Sequence, residues 1–141
     1  MKKLIDVLKD KWKGVEYPFL IHHSVQLKFS DISKQTAIDL SKIKKGDVVA
    51  LIGDFEPSSI LTLLRMTDMD VIVVPLTKET KEQHQYFFRS ALVDVVIEDG
   101  KVERRHHKDQ HELINQLRKK KHAGLVLFST GTTGRPKAIL H

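Results

Sequence analysis

The chemistry-bearing residues of this chain are concentrated near its end. Ser129-Thr130-Gly131-Thr132-Thr133-Gly134-Arg135-Pro136-Lys137 holds four hydroxyl side chains, two glycines and one lysine in nine positions. It follows directly on the apolar run Leu125-Val126-Leu127-Phe128. Glycine admits positive φ and close approach to a ligand, so backbone N–H groups can turn toward anionic oxygens. Ser and Thr hydroxyls add donors, and a lysine adds a mobile positive charge. Together these groups suit a polyphosphate.

The spacing is not that of a Walker A loop, which places lysine directly after its second glycine and then opens a helix. Here Arg135 and Pro136 intervene, and Ala138-Ile139-Leu140 reads as a strand. The dinucleotide fingerprint G-x-G-x-x-G fails as well. A Gly/Thr-rich turn between two strands is the plainer reading of the same residues, since these are ordinary turn formers. The Pro-Lys ending favours the phosphate loop.

The segment S-T-G-T-T-G-R-P-K-A resembles the phosphate-binding loop of the AMP-forming adenylating enzymes, the superfamily of acyl-CoA synthetases, aryl-CoA ligases, peptide-synthetase adenylation domains and luciferases. Ala138 stands where glycine is commoner in that family. Further blocks extend the resemblance from about Pro18 onward. Lys45-Gly46-Asp47-Val48-Val49-Ala50-Leu51 is similar to the family's Gly-Asp-x-Val-Ala strand entry, and Val71-Ile72-Val73-Val74-Pro75-Leu76 to its buried strand ending in Pro-Leu. Phe29-Ser30-Asp31-Ile32 corresponds to the aromatic-Thr-x-x-Leu opening of its first long helix. Two stretches depart: Gly53-Asp54-Phe55 where asparagine is usual, and Asp68-Met69-Asp70 where a small Ala-Gly pair is usual.

The elements that must position the loop alternate along the chain. The amino terminus through Trp12 has the spacing of a short amphipathic helix, with Leu4 and Leu8 one turn apart. Phe19–Ile21 and Val25–Phe29 read as short strands. Ser30 is the expected cap of a helix carrying Ile32, Thr36, Leu40 and Ile43, ended by Lys44-Lys45-Gly46. Val48–Ile52 and Val71–Val74 are continuous apolar strands, as in a sheet covered on both faces. Between them Pro57 opens a helix with Ile60, Leu61 and Leu64. Thr80 and Gln83 have capping-box spacing before a helix with Phe87, Phe88 and Ala91. Val93–Ile97 is a third strand; Asp99-Gly100 turns into Lys101-Val102-Glu103. Asp109 and Glu112 have the same box spacing before Leu113, Ile114 and Leu117. The predicted class is α/β, a mostly parallel β-α-β sheet with right-handed crossovers. The resemblance makes it the amino-terminal subdomain of an adenylate-forming ligase.

Composition bounds the rest. One domain is the natural expectation at 141 residues, with 40% hydrophobic and 30% charged content. There is no cysteine, which excludes disulfides, thiolate metal sites and a cysteine nucleophile. No apolar run approaches a membrane span, and Met1-Lys2-Lys3-Leu4-Ile5-Asp6 meets charge too early for a signal peptide, so a cytoplasmic protein is expected. The net charge of +6 gathers at Arg104-Arg105-His106-His107-Lys108 and Arg118-Lys119-Lys120-Lys121-His122. Without interleaved aromatics these read as a solvated loop and a helix terminus, with no nucleic acid partner expected. The pairs His22-His23 and His106-His107 point to opposite faces of an extended chain and assign no metal site.

The resemblance implies a division of labour. Backbone N–H groups at Gly131 and Gly134 cradle phosphate oxygens of ATP. Ser129, Thr130, Thr132 and Thr133 donate to them, and Lys137 offsets the charge of departing pyrophosphate. It further implies Mg²⁺ with the ATP, a carboxylic acid substrate, and transfer of the acyl group to a thiol of CoA or of a carrier-protein phosphopantetheine. In the family the adenine and acyl pockets and a mobile domain with a catalytic lysine all lie downstream. Residues 1–141 are thus expected to be the amino-terminal portion of an adenylation domain, with its downstream part missing. No catalytic residue is assigned, and alone it is expected to adenylate nothing. A non-catalytic nucleotide-binding module, or a partner-binding remnant of the fold, are the alternatives.

Overall fold

The computed structural model describes residues 3–34, 38–129 and 134–141. Its centre is β3 (Val48–Ile52), five consecutive buried residues. Such a strand needs cover on both faces. β4 (Ile72–Leu76) and β5 (Val95–Glu98) flank it, both parallel, with Val49 opposite Val73 on one side and Val95 on the other. β7 (Gly124–Ser129) adds to β4 in parallel. The edges are antiparallel: β6 (Lys101–Arg104) on β5, and β8 (Lys137–Leu140) on β7. The six-stranded order is β6-β5-β3-β4-β7-β8. The mostly parallel α/β sheet expected from the sequence is therefore what forms.

From β3 to β4 the chain moves one way, and from β4 to β5 it returns past β3. That reversal carries the connecting helices to opposite faces, as crossovers of one hand require. α3 (Pro57–Met66) covers one face with Leu63 and Met66, against Val49, Val73 and Val95. α4 (His84–Ser90) covers the other with Phe87 and Phe88, against Ala50, Val74 and Ile52, joined there by Ile114 of α5 (Glu112–Lys120). Gly124 marks where α5 and β7 meet: a Cβ there would lie 2.6 Å from Leu117 Cδ1. Outside the sheet, α1 (Leu4–Trp12) buries no residue, and β1 (Leu20–His22) pairs antiparallel with β2 (Val25–Leu27). Trp12, Phe19 and Phe29 join these pieces through edge-on ring contacts, each 5.0 Å between centroids.

Three expected helix starts are placed differently. α2 is Phe29–Ser33, so Ser30 lies inside it. Lys28 is its cap residue, and the Asp31 carboxylate accepts the Lys28 N–H at 3.0 Å. Leu40 and Ile43 are buried as predicted, but on a non-helical segment, while Thr36 lies outside the described residues. Asp39 accepts the Ser41 N–H and Asp47 the Lys44 N–H; these local bonds satisfy the backbone without a helix. Before α4 the chain forms a 3₁₀ helix, Lys78–Gln83, that contains Thr80. The Thr80 hydroxyl donates to the Thr77 carbonyl and meets His84 Nε2 at 3.1 Å, capping nothing. At α5 the cap is His111, whose Nδ1 accepts the Leu113 N–H, and Asp109 is not used.

Candidate functional site

β7 and β8 form the hairpin that presents the predicted loop. Their register sets Ser129 opposite Lys137 and Phe128 opposite Ala138, so residues 130–136 are the connection. Of the expected phosphate-binding residues, Ser129, Gly134 and Lys137 are brought together here. Thr130, Gly131, Thr132 and Thr133 lie outside the described residues. Gly134 has φ +86°, the left-handed region in which glycine carries no steric penalty, and nothing stands within 4 Å of where its Cβ would be. The mouth is at the carboxyl end of β7, the edge at which α/β sheets place ligands.

Alternation along β7 assigns the faces. Val126 and Phe128 join the α4 side, while Leu125 packs on the α3 side. Leu127 and Ser129, with their partners Ile139 and Lys137, therefore share the α3 side. α3 does not reach that far. Leu127 and Ile139 remain 40% and 45% exposed, and Lys137 is exposed beside half-buried Ser129. No carboxylate among the described residues pairs with Lys137.

A residue that sequence reasoning passed over anchors the loop from the other side. Tyr86 of α4 donates its hydroxyl to the Pro136 carbonyl at 2.7 Å, across 50 positions of chain. The Arg135 guanidinium stands 5.0 Å above the same ring. Phe87 beside it lies 4.2 Å from Phe128, fixing α4 against the strand that delivers the loop. The sequence signal for it is the aromatic triplet Tyr86-Phe87-Phe88, whose two Phe residues read as core.

Two clefts open at the same end of the sheet. One, about 300 Å³, is apolar and lined by Leu51, Phe55, Ile60, Leu63, Leu76 and Leu127. The other, about 460 Å³, lies over β3 and β5 and is lined by His22, His23, Asp54, Glu56, Lys78 and Asp99. Burial raises the Glu56 carboxyl, but bonds from the Ser59 hydroxyl and from backbone N–H groups at Glu56 and Asp54 outweigh it and hold it below the ordinary value. The Lys78 ammonium donates to Asp99, which lifts the lysine and lowers the carboxyl.

Two sequence expectations are corrected by side-chain placement. His22 and His23 do not diverge: His23 has φ 53° in the turn after β1, and the two rings meet edge-on 4.3 Å apart. Among the described residues no group of three His, Cys, Asp or Glu is arranged to hold a metal ion. The basic stretch from Arg104 is no merely solvated loop. Arg104 pairs with Asp47, a hydrogen bond that raises its pKa, and Arg105 donates to the carbonyls of Phe88 and Val93. His107 Nε2 lies 2.8 Å from Asp94. Among the described residues no helix is long and apolar enough to cross a membrane.

A mostly parallel sheet with antiparallel edges, helices on both faces and a hydroxyl-rich hairpin at its carboxyl end define a class. It is the fold of the amino-terminal subdomain of Klebsiella oxytoca NpsA. The solved structures it resembles include the amino-terminal subdomain of Klebsiella oxytoca NpsA, with a TM-score of 0.65 at 16% identity over 99% of this chain and 40% of that one. The same subdomain in complex with anthranilyl-AMSN gives 0.65 at 18% identity over 96% and 39%. VinN gives 0.60 at 12% identity over 99% and 43%. At these identities the likeness is one of fold, and the chain spans about 40% of the length of the NpsA structures. No protein-family model matches the chain. No curated protein matches it either.

Proposed function

We propose that this chain is the ATP phosphate-binding part of a ligase that converts a carboxylic acid to an acyl-adenylate and passes the acyl group to a thiol. The observation that carries the reading is the hairpin itself: Ser129 and Lys137 face each other at the mouth of a Gly/Thr-rich loop at the carboxyl end of the sheet. Complexes of NpsA with acyl-AMSN compounds support the same assignment by analogy of fold.

In this reading the acid's carboxylate oxygen attacks the α-phosphorus of ATP, the bond to the bridging oxygen breaks, and pyrophosphate leaves. This chain's share is electrostatic. N–H groups around Gly131 and Gly134 and hydroxyls of Ser129, Thr130, Thr132 and Thr133 donate to the β- and γ-phosphate oxygens. Lys137, exposed and without a carboxylate partner among the described residues, offsets the charge that builds on the leaving group. Donors held by a hairpin need little reorganisation as that charge develops. Mg²⁺ would arrive with the nucleotide; no residue here is assigned to it. The thiol, of CoA or a phosphopantetheine carrier, would be met by other parts of the protein.

We further assign the activity to a longer protein, of which residues 1–141 are the amino-terminal portion of the adenylation domain. The matched NpsA and VinN structures are more than twice as long, and among the described residues no helix covers the β7–β8 face carrying Leu127 and Ile139. Titration of this chain with ATP, followed on the Gly131–Lys137 amides and by calorimetry, tests the phosphate site. Shifts confined to those amides are expected; their absence, with no heat, overturns it. Acid-dependent exchange of pyrophosphate into ATP by the complete protein tests the reaction, and failure across a broad panel of acids rejects it.

A further inference from the structure

The loop's exit is held by one side chain from across the sheet. Tyr86 is half-buried in α4 with its ring 5.9 Å from Phe87. Phe87 is in turn packed on Phe128, one residue before Ser129. The tyrosine therefore sits on the rigid side of the molecule, while its hydroxyl donates to the Pro136 carbonyl on the loop side, at 2.7 Å. That carbonyl belongs to the same planar peptide unit as the Lys137 N–H. Fixing its direction fixes the plane from which Lys137 departs and the start of β8. The choice of acceptor matters because proline has no N–H, so its carbonyl is the polar group that residue 136 offers. On the same ring the Arg135 guanidinium rests 5.0 Å from the centroid, a cation–π contact that draws a second loop residue to α4.

We propose that Tyr86 is the positioning residue of the phosphate loop. Its hydroxyl orients the Pro136–Lys137 peptide and hence the lysine, and its ring seats Arg135, which directs that cation away from the loop mouth. This rests on the reading of the loop as an ATP site. It adds a residue on a different element, 43 positions before Ser129 in the numbering. Tyr86 touches no ligand in this arrangement and acts through Lys137.

Tyr86→Phe removes one oxygen and keeps the ring, so the fold and the Arg135 contact survive. Exchange of the Lys137 amide hydrogen in the nucleotide-free chain is expected to accelerate severalfold, with core amides of β3 and β4 unchanged. ATP affinity is expected to fall about three- to tenfold, the worth of one neutral hydrogen bond. Tyr86→Leu, which also removes the ring, is expected to extend the faster exchange to Arg135 and lower affinity further. Wild-type exchange at the Lys137 amide together with wild-type ATP affinity in Tyr86→Phe overturns the proposal while the ATP site stands. A wild-type chain that binds no ATP overturns the site instead, and the nucleotide-free exchange still decides the tether.

Discussion

The amino-terminal ends of β3 and β5 and the β7–β8 hairpin handle charge in opposite ways. At the amino-terminal ends of β3 and β5, cations are consumed by structure. Asp94 accepts the Val48 N–H at 2.8 Å and Arg118 Nη2 at 3.1 Å on one oxygen, and faces His107 on the other. Asp47 takes Arg104, and Arg118 Nε donates to the Gly46 carbonyl at 2.8 Å. At the β7–β8 hairpin, Lys137 stands exposed without a carboxylate partner among the described residues, and the Arg135 guanidinium rests on the Tyr86 ring. A chain of net charge +6 thus spends its most conspicuous basic cluster on holding strands together. The cation we propose for the phosphate site is an isolated lysine that composition would not single out. The lysines ending α5 are as exposed as Lys137, but they complement the helix terminus rather than a glycine-rich loop.

Substitutions in the two regions should separate stability from binding. The largest stability loss is expected for Asp94→Ala, which leaves the Val48 N–H and the Arg118 and His107 side chains without their acceptor. Urea denaturation should show about 3 kcal/mol lost, because several partners are orphaned together. Arg118→Met keeps much of the stem that packs on Gly46 and loses two charged bonds. It should cost about 1.5 kcal/mol in the same measurement. Lys137→Ala should do the reverse, with an unchanged denaturation midpoint and ATP affinity at least about tenfold weaker by calorimetry. Equal stability losses from Asp94→Ala and Lys137→Ala would erase the contrast.

The smallest effect belongs to Glu56, at the carboxyl end but away from the loop. Burial raises its carboxyl, yet its hydrogen bonds hold it net below the unfolded value. Its contribution is therefore fully present above the unfolded pKa and is lost as pH falls through the folded one. Stability measured down an acid series should decline less steeply in Glu56→Gln than in the wild type, with the two profiles converging at the acid end.

Legibility followed the range of the interaction. β3 announced itself because five apolar residues in a row suit only a strand covered on both sides. The Asp99-Gly100 turn was readable because residues at φ 49° and 76° are what a two-residue hairpin needs. Caps were not. Ser30, Thr80 and Asp109 all have the right chemistry and spacing, and none is the cap residue, because where a chain enters a helix is set by what the helix packs on. Lys28, the 3₁₀ turn and His111 take those places. His107 and Arg105 looked like solvated charge because their partners, Asp94 and the Phe88 and Val93 carbonyls, stand 12 to 17 positions away.

By itself, the sequence determined the class of sheet, the strand that delivers the loop and the chemistry the loop can offer. Those rest on periodicity, backbone permissiveness and side-chain type, which are local properties. Tertiary structure alone decided which cations are neutralised, and that β8 returns beside β7 to set Lys137 opposite Ser129. It alone showed that Tyr86 reaches across 50 residues to hold the loop's exit. Those outcomes depend on which distant groups share a distance of a few ångströms, and no local pattern encodes that.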